Sequence, residues 1–322
     1  MKRVLAVPIS LMLALCGSSA PHNGNDGRIV FSRQTGSGGA NLFVARADGS
    51  GVRKVPIPEL VEDFGSARWS PDGRRLLISN LLRFDAAGEL LPFRPATVRP
   101  DGSGFRMLEP PGAPFDMLCA AWSPDGKRLL CGFGGDAPGV FSIRSSDGGR
   151  PVRLTTNPYG ESDVAGDYSP DGERAVIVRF HGEDAALFMV DTDGRHLRQL
   201  TPYGLAQGHE LATARWSPDG RSILFATAEG GLSLIRLRDA QLASITLDTG
   251  GKAYFAFSPG WSPDGSRIVV ALSIDQQEDI YTARRDGTHL HRITNTPDFE
   301  PFADWGFLDL QELPQYAASP GP

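Results

Sequence analysis

A five-residue motif recurs along this chain and constrains its fold more than any other feature. The motif, Trp-Ser-Pro-Asp-Gly with one Tyr variant, occupies residues 69–73, 122–126, 168–172, 216–220 and 261–265. Its aromatic residues lie 53, 46, 48 and 45 positions apart, and Trp305 follows Trp261 by 44 positions. Aromatic signatures at a period of about 40–50 residues are typical of β-propellers.

Each repeat contains the signals of four short strands. Ser-Pro-Asp-Gly favours a tight turn, because Pro presets φ and because Asp and Gly tolerate the backbone angles of a chain reversal. The turn is followed by an apolar run typical of a buried strand, at residues 76–78, 129–131, 176–178, 223–225 and 268–270. A second, Asp-Gly turn follows at residues 48–49, 101–102, 147–148, 193–194 and 286–287, and a fourth strand ends in sequences such as 153–155, 199–201 and 292–294.

The two ends of the chain complement each other. Residues 28–55 carry a second, a third and a fourth strand without a first, whereas the C-terminus supplies a first strand ending at Trp305. We therefore expect an all-β, six-bladed propeller of four-stranded blades over residues 27–309. The N- and C-terminal strands would pair in one blade, which leaves no incomplete unit in an array whose repeats contact mainly their neighbours.

The N-terminus has the pattern of an export signal. Lys2 and Arg3 precede an apolar stretch over residues 4–15, which is shorter than the roughly 20 residues that span a bilayer. We expect a signal peptide over residues 1–19, a linker over 20–26 and a disordered tail over 310–322. Leu-Ala-Leu-Cys, ending at Cys16, is similar to a lipoprotein signal, so the mature chain is either lipidated there or cleaved near residues 19–20. Both alternatives predict a periplasmic or extracellular protein.

Two further cysteines, Cys119 and Cys131, flank one repeat turn. If residues 124–126 form the loop, the two cysteines lie directly opposite each other on adjacent strands. An oxidising compartment would then favour a disulfide. The alternative is a pair of small buried core residues.

Composition and missing motifs exclude several function classes. The net charge is −6 and no long run of Lys or Arg occurs, which argues against nucleic-acid binding. Gly-x-Ser-x-Gly, His-Glu-x-x-His and glycine-rich phosphate loops are absent from the sequence, so it supports neither nucleophilic hydrolase chemistry nor nucleotide binding. We expect a monomer without a cofactor, associated with a membrane only through a lipid anchor at Cys16.

The repeats resemble the propeller of TolB, the periplasmic component of the Tol–Pal envelope system, and the propellers of prolyl oligopeptidases. The resemblance covers residues 27–309. TolB carries an α/β domain before its propeller, and residues 1–26 leave no room for one. The resemblance implies an envelope propeller that acts as a scaffold and holds a protein or peptide at its central channel.

Candidate binding residues lie in the segments predicted to join one blade to the next. We assign these segments to residues 56–66, 109–118, 155–165, 201–213, 247–258 and 294–302. The candidates are mostly carboxylates, whose ring would focus negative potential and attract a basic peptide or a cation; the alternative is that each caps its own turn. The predicted partner-binding residues are Asp63, Asp116, Asp163, His209, Glu210, Tyr254 and Glu300.

Two other features allow different interpretations. Residues 79–96 form an unusually apolar insert that covers the channel, contacts a partner or packs on blade 2 as an extended hairpin. His181, His209 and Glu210 are the candidates for an alternative function, a propeller enzyme such as a sugar lyase or hydrolase, because some propeller lyases use channel histidines and a metal. His289 and His291 would lie on one side of a fourth strand, with no third metal ligand in the nearby sequence.

Overall fold

The structure is a computed structural model that describes residues 27–35, 38–58, 63–109, 116–134, 138–158, 160–207 and 214–307. Strands form all the regular structure within these ranges, and they group into six antiparallel sheets. Blade 1 contains β1 (Arg28–Thr35), β2 (Gly38–Arg46), β3 (Arg53–Lys54) and β25 (Ala303–Gly306). Blade 2 contains β4 (Asp63–Phe64), β5 (Ala67–Trp69), β6 (Leu76–Leu82), β7 (Arg94–Val98) and β8 (Arg106–Met107).

The other four blades each take four consecutive strands. Blade 3 contains β9 (Met117–Trp122), β10 (Arg128–Phe133), β11 (Gly139–Arg144) and β12 (Val152–Arg153). Blade 4 contains β13 (Glu161–Tyr168), β14 (Arg174–His181), β15 (Asp184–Asp191) and β16 (Arg198–Gln199). Blade 5 contains β17 (Ala214–Trp216), β18 (Ser222–Ala226), β19 (Leu232–Arg236) and β20 (Gln241–Ile245). Blade 6 contains β21 (Tyr254–Trp261), β22 (Arg267–Ile274), β23 (Gln277–Arg284) and β24 (His291–Arg292).

The two ends of the described chain close the ring. Strand β25 pairs antiparallel with β1, from Arg28 opposite Gly306 to Phe31 opposite Ala303. The predicted six-bladed propeller, closed by its terminal strands in one blade, is confirmed. The described residues contain no helix of the length and apolar character that a membrane crossing requires.

The polar residues of the repeated motif are used within their own turn. In blade 5, Ser217 Oγ donates to Asp219 Oδ1 at 2.5 Å and accepts from Ser222 N at 2.9 Å. Gly220 then takes a φ of 69°, in the left-handed region that favours glycine. The same Ser–Asp contacts recur in the other four copies. The motif therefore builds hairpins.

A threonine at the end of the fourth strand has a similar recurring role. Thr155, Thr201 and Thr294 each accept a hydrogen bond, on Oγ1, from a third-strand backbone N–H at 2.9–3.0 Å. This contact satisfies a backbone donor where the short fourth strand ends. The Arg-Leu-Thr type of sequence thus fastens the outer edge of three blades.

The turn after Trp122 differs from the predicted loop of residues 124–126. Ser123 N donates to Arg128 O at 2.9 Å, so the loop is four residues long and shifts the register by one. Ala120 forms a bulge that restores the register and places Cys119 opposite Cys131. The two cysteines form a disulfide within the core between blades 2 and 3.

Several predicted loops are shorter in the structure because strands extend into them. The insert expected over residues 79–96 spans only residues 83–93, since β6 runs to Leu82 and β7 begins at Arg94. Strand β9 begins at Met117, β13 at Glu161 and β21 at Tyr254. Asp163 and Tyr254 therefore lie in strands, contrary to the predicted loop boundaries.

The disulfide generates a stability prediction. Replacing both Cys119 and Cys131 by Ala should lower the free energy of unfolding by about 2–4 kcal/mol, because a closed loop restricts the unfolded chain. Denaturant titration with and without reductant measures the change, and reductant should destabilise only the parent protein. Identical midpoints for parent and variant would contradict a stabilising disulfide.

Candidate functional site

The propeller has two unequal faces. Because neighbouring strands are antiparallel, the Ser-Pro-Asp-Gly turns and the third-to-fourth-strand turns share one side of the ring, which we call the turn face. The connections between blades and those from second to third strands share the other side, the loop face. The predicted binding residues that the structure describes belong to the loop-face half of their blades.

Two predicted binding carboxylates are buried in ion pairs. Asp163, on β13, accepts two hydrogen bonds from Arg179 at 2.6 and 2.8 Å. Glu300 accepts one from Arg33 Nε at 2.6 Å. Both carboxylates are almost inaccessible to solvent. They therefore contribute little uncompensated negative potential to the loop face.

The other predicted residues are placed differently. Asp116 is exposed, and its Oδ1 accepts from Phe93 N at 2.8 Å. Tyr254, at the start of β21, is half-buried and packs against the core between blades 5 and 6. The backbone of Asp63 pairs with Leu82 in β4. Two further predicted binding residues lie outside the described residues, namely His209 and Glu210.

Glu300 belongs to a buried polar cluster between blades 1 and 6. Thr294 Oγ1 contacts Glu300 and also lies 3.3 Å from Asp279 Oδ1. Asp279 is fully buried and accepts from Arg292. Burial raises the pKa of the Glu300 carboxyl, and the hydrogen bonds from Thr294 and Arg33 offset only part of that effect.

His181 lies in a second polar cluster, on blade 4. Its Nδ1 is 3.8 Å from Glu161 Oε1, to which Tyr203 donates a hydrogen bond at 3.2 Å. Arg179 lies 3.2 Å from the other Glu161 oxygen. Burial and Glu161 together raise the pKa of Tyr203. The enzyme hypothesis also requires His209 and Glu210, which lie outside the described residues, so it stays a prediction.

The prediction that His289 and His291 both lie on a fourth strand is wrong for His289. His291 lies on β24, but His289 lies in the preceding turn with a φ of 56°. Within the described ranges, no group of three His, Cys, Asp or Glu side chains is arranged to hold a metal ion.

Residues 83–93 form a small hairpin on the loop face, which we call the blade-2 hairpin. Phe84 and Leu90 bridge its two arms and are 47% and 55% exposed. Leu91 N donates to Arg83 O at 2.9 Å. Asp85 Oδ1 accepts from two backbone N–H groups of the tip at 2.8 and 2.9 Å. These bonds hold two large apolar side chains outward in a defined geometry.

The base of the blade-2 hairpin contacts the innermost strand of blade 3. Phe93 O accepts from Met117 N at 3.1 Å, and Phe93 N donates to Asp116 at 2.8 Å. Leu118, the next residue of β9, is 37% exposed. Exposed apolar side chains therefore occur on the hairpin and on the innermost strand of the neighbouring blade.

Sequence reasoning missed a buried charge network at the centre of the ring. Its four charged side chains are among the six residues that immediately precede the repeated aromatic positions. In ring order from blade 1 these are Asp304, Arg68, Ala121, Asp167, Arg215 and Gly260. A comparison of the copies at the position just before each aromatic residue could have found the network, because four of the six copies carry Asp or Arg there.

Asp304 joins three blades through this network. It accepts from Arg215 at 2.5 Å, from Arg68 at 3.3 Å and from Trp69 N at 2.9 Å. Burial and the nearby Arg215 lower the pKa of Arg68 to about 10. Burial also raises the pKa of Asp167, although both arginines oppose that shift. Side chains of opposite charge therefore occupy the centre of the ring, where solvent hardly reaches them.

We compared the sequence and the fold with those of known proteins. No protein-family profile matches the chain. An uncharacterized protein of Agrobacterium fabrum is 27% identical over 290 residues, which cover 73% of this chain and 94% of that protein. A TolB homologue of Chlorobaculum tepidum is 30% identical over 132 residues, which cover 41% of this chain and 29% of that protein.

The crystal structure of TolB from Acinetobacter baumannii superposes with a TM-score of 0.66 at 17% identity, covering 89% of this chain and 68% of that one. The chain folds as a TolB-like propeller. The matched segment spans less than a third of the Chlorobaculum protein. The similarity therefore concerns the propeller, and partners of the whole relatives do not follow from it.

The central network of this TolB-like propeller generates one prediction. Asp304→Asn should lower the free energy of unfolding by about 3–5 kcal/mol, because it removes the carboxylate that bonds to buried Arg68 and one of the two carboxylates beside Arg215. Asp248→Asn, at an exposed aspartate, is the matched control and should change stability by less than about 0.5 kcal/mol. Equal unfolding midpoints for the two variants would contradict the role of the network.

Glu300 generates a second prediction, on pH dependence. Its folded pKa is raised, so the folded state holds the proton more tightly than the unfolded state does. Stability gained from this group must therefore increase as pH falls from above the folded pKa toward the ordinary value. Chemical denaturation at several pH values should show the parent gaining stability relative to Glu300→Gln as pH is lowered. A difference that is constant with pH would contradict the raised pKa.

Proposed function

We propose that this chain is an exported TolB-like propeller that binds a protein or peptide partner on its loop face, as a scaffold in the cell envelope. The observation that carries the proposal is the blade-2 hairpin. It exposes Phe84 and Leu90 at a site where other second-to-third-strand connections, such as Gly182–Glu183 of blade 4, are short. Exposed apolar side chains on an ordered element are typical of partner-binding sites.

The charge distribution supports an apolar contact over an acidic one. Asp163 and Glu300 are held by arginines, and Asp116 holds the base of the blade-2 hairpin. These three carboxylates of the described residues are therefore engaged by the protein itself. The partner we propose presents apolar side chains to Phe84, Leu90 and Leu118.

The predicted signal peptide and the disulfide support a location in the cell envelope. The signal pattern over residues 1–19 and the disulfide between Cys119 and Cys131 both fit an oxidising compartment outside the cytoplasm. The described chain begins at the turn face, where Arg28 pairs with Gly306 at the end of the inner strand. An anchor at Cys16 would therefore join the propeller on its turn-face side.

The proposal predicts a selective loss of binding. Phe84→Ser combined with Leu90→Ser should lower partner capture by about tenfold or more, since each buried apolar side chain contributes about 1.5–3 kcal/mol. Leu242→Ser, at a leucine of the outer strand β20 that is 43% exposed, is the matched control. Quantitative affinity capture from an envelope extract, with identification of the captured proteins, measures the effect.

Two outcomes decide the matter. Partners that are captured by the parent and the Leu242→Ser control, and lost from the hairpin variant, would support the proposal. Capture that is equal in all three proteins would show that the blade-2 hairpin is not the binding element.

A further inference from the structure

One neighbouring pair of the five Ser-Pro-Asp-Gly turns on the turn face is packed differently from the others. At three seams, consecutive Ser-Pro-Asp-Gly turns pack side by side. A methyl group added at Gly172, Gly220 or Gly265 would lie 3.3–3.8 Å from the proline ring of the preceding turn. A methyl group at Gly126 would meet no atom within 4 Å. The turns of blades 2 and 3 have therefore moved apart.

Among the described residues, the opened seam also lacks the arginine cover that is present between blades 4 and 5. In blade 4, Arg174 covers the indole ring of Trp216 in the next blade, with its guanidinium 5.2 Å from the ring centroid. Arg75 is the equivalent residue of blade 2. It donates instead to Thr97 Oγ1 and Gly104 O, both at 3.3 Å and both in its own blade. In the described part of the chain, no arginine covers Trp122 in the way that Arg174 covers Trp216.

The result is a cleft of about 560 Å³ between blades 2 and 3. Trp122, Pro71 and Pro124 give it flat apolar walls, while Arg75 and Arg106 provide N–H donors. Its volume falls within the range of small-molecule sites. It lies on the face opposite the blade-2 hairpin, so it is separate from the proposed partner site.

The cleft also contains acceptors. Asp72 and Asp125 line it, and each carboxylate is exposed at the surface. Two arginines and two aspartates leave the lining without net charge, which does not favour a simple anion. A ligand that both donates and accepts hydrogen bonds, and that has a flat apolar side, matches this lining.

We propose that this cleft binds a hexopyranose ring, as a free sugar or as a unit of an oligosaccharide. The C–H face of a pyranose is flat and apolar and would pack on the indole of Trp122. Each sugar hydroxyl has one donor and two acceptor positions, which suits arginine on one side and aspartate on the other. The site does not depend on the proposed partner binding at the loop face.

NMR titration of the full chain tests the site directly. The five tryptophans give five indole N–H signals, and Trp122→Phe and Trp216→Phe assign the two that matter. The probes are glucose, as the free sugar, and three tetrasaccharides: cellotetraose, chitotetraose and tetragalacturonate. We expect the Trp122 signal to shift with at least one probe, at a dissociation constant of about 1 mM or below, while the Trp216 signal stays in place.

Arginine variants distinguish this cleft from general surface binding. Arg106→Gln should weaken binding about tenfold, because it removes a charged hydrogen-bond donor. Arg198→Gln changes an exposed arginine on the equivalent strand of blade 4 and should leave binding unchanged. A shift with glucose alone would identify a free-sugar site, and a shift only with a tetrasaccharide would identify a polymer site.

Two results would overturn the proposal. If the Trp122 signal stays in place with all four probes at about 20 mM, well above the expected dissociation constant, the cleft does not bind a pyranose. A shift that Arg106→Gln leaves unaltered would likewise place the contact elsewhere.

Discussion

Closure of the ring by β25 is the constraint on which the rest of the structure depends. Blade 1 has four strands only because Ala303–Gly306 pairs with Arg28–Phe31. Asp304 on this closing strand also bonds to Arg68 and Arg215, which belong to blades 2 and 5. The same short strand therefore completes one blade and connects two others through the centre of the ring. Because these charges are buried, losing any one of them leaves its partners unsatisfied.

The repeat accounts for structure, and its interruptions are where we place function. In every copy the Ser hydroxyl donates to the Asp carboxylate of the same turn. These side chains therefore stabilise the hairpin. The blade-2 hairpin departs from the short connections of other blades, and the cleft at Trp122 departs from the packed turns of other seams. Both departures involve blades 2 and 3, but they lie on opposite faces.

Much of the fold could be predicted because the repeat combines local turn chemistry with a regular period. The blade count followed from the incomplete ends, and the position of Cys119 opposite Cys131 followed from the turn between them. The predicted three-residue turn is wrong, however. The turn has four residues, and a bulge at Ala120 compensates for the extra residue. Turn length and bulges depend on backbone geometry that the motif alone does not specify.

The candidate site was harder to predict, because its residues acquire their roles through distant partners. The sequence predicts Asp163 and Glu300 as partner-binding carboxylates, but Arg179 and Arg33 neutralise them. Arg33 and Glu300 lie 267 positions apart in the chain, so no local pattern indicates their contact. The central network was missed for the same reason, since its four charges come from four different blades.

The repeat builds the scaffold, and we propose that the blade-2 hairpin binds the partner. Removing the hairpin tests it most directly. Arg83 and Leu91 are joined by a backbone hydrogen bond, so an Asn-Gly turn can replace residues 84–90 between them. We expect the shortened protein to fold, with an unchanged melting temperature and an unchanged scattering profile of a six-bladed ring. It should no longer capture its partner. Full capture by this shortened protein would contradict it.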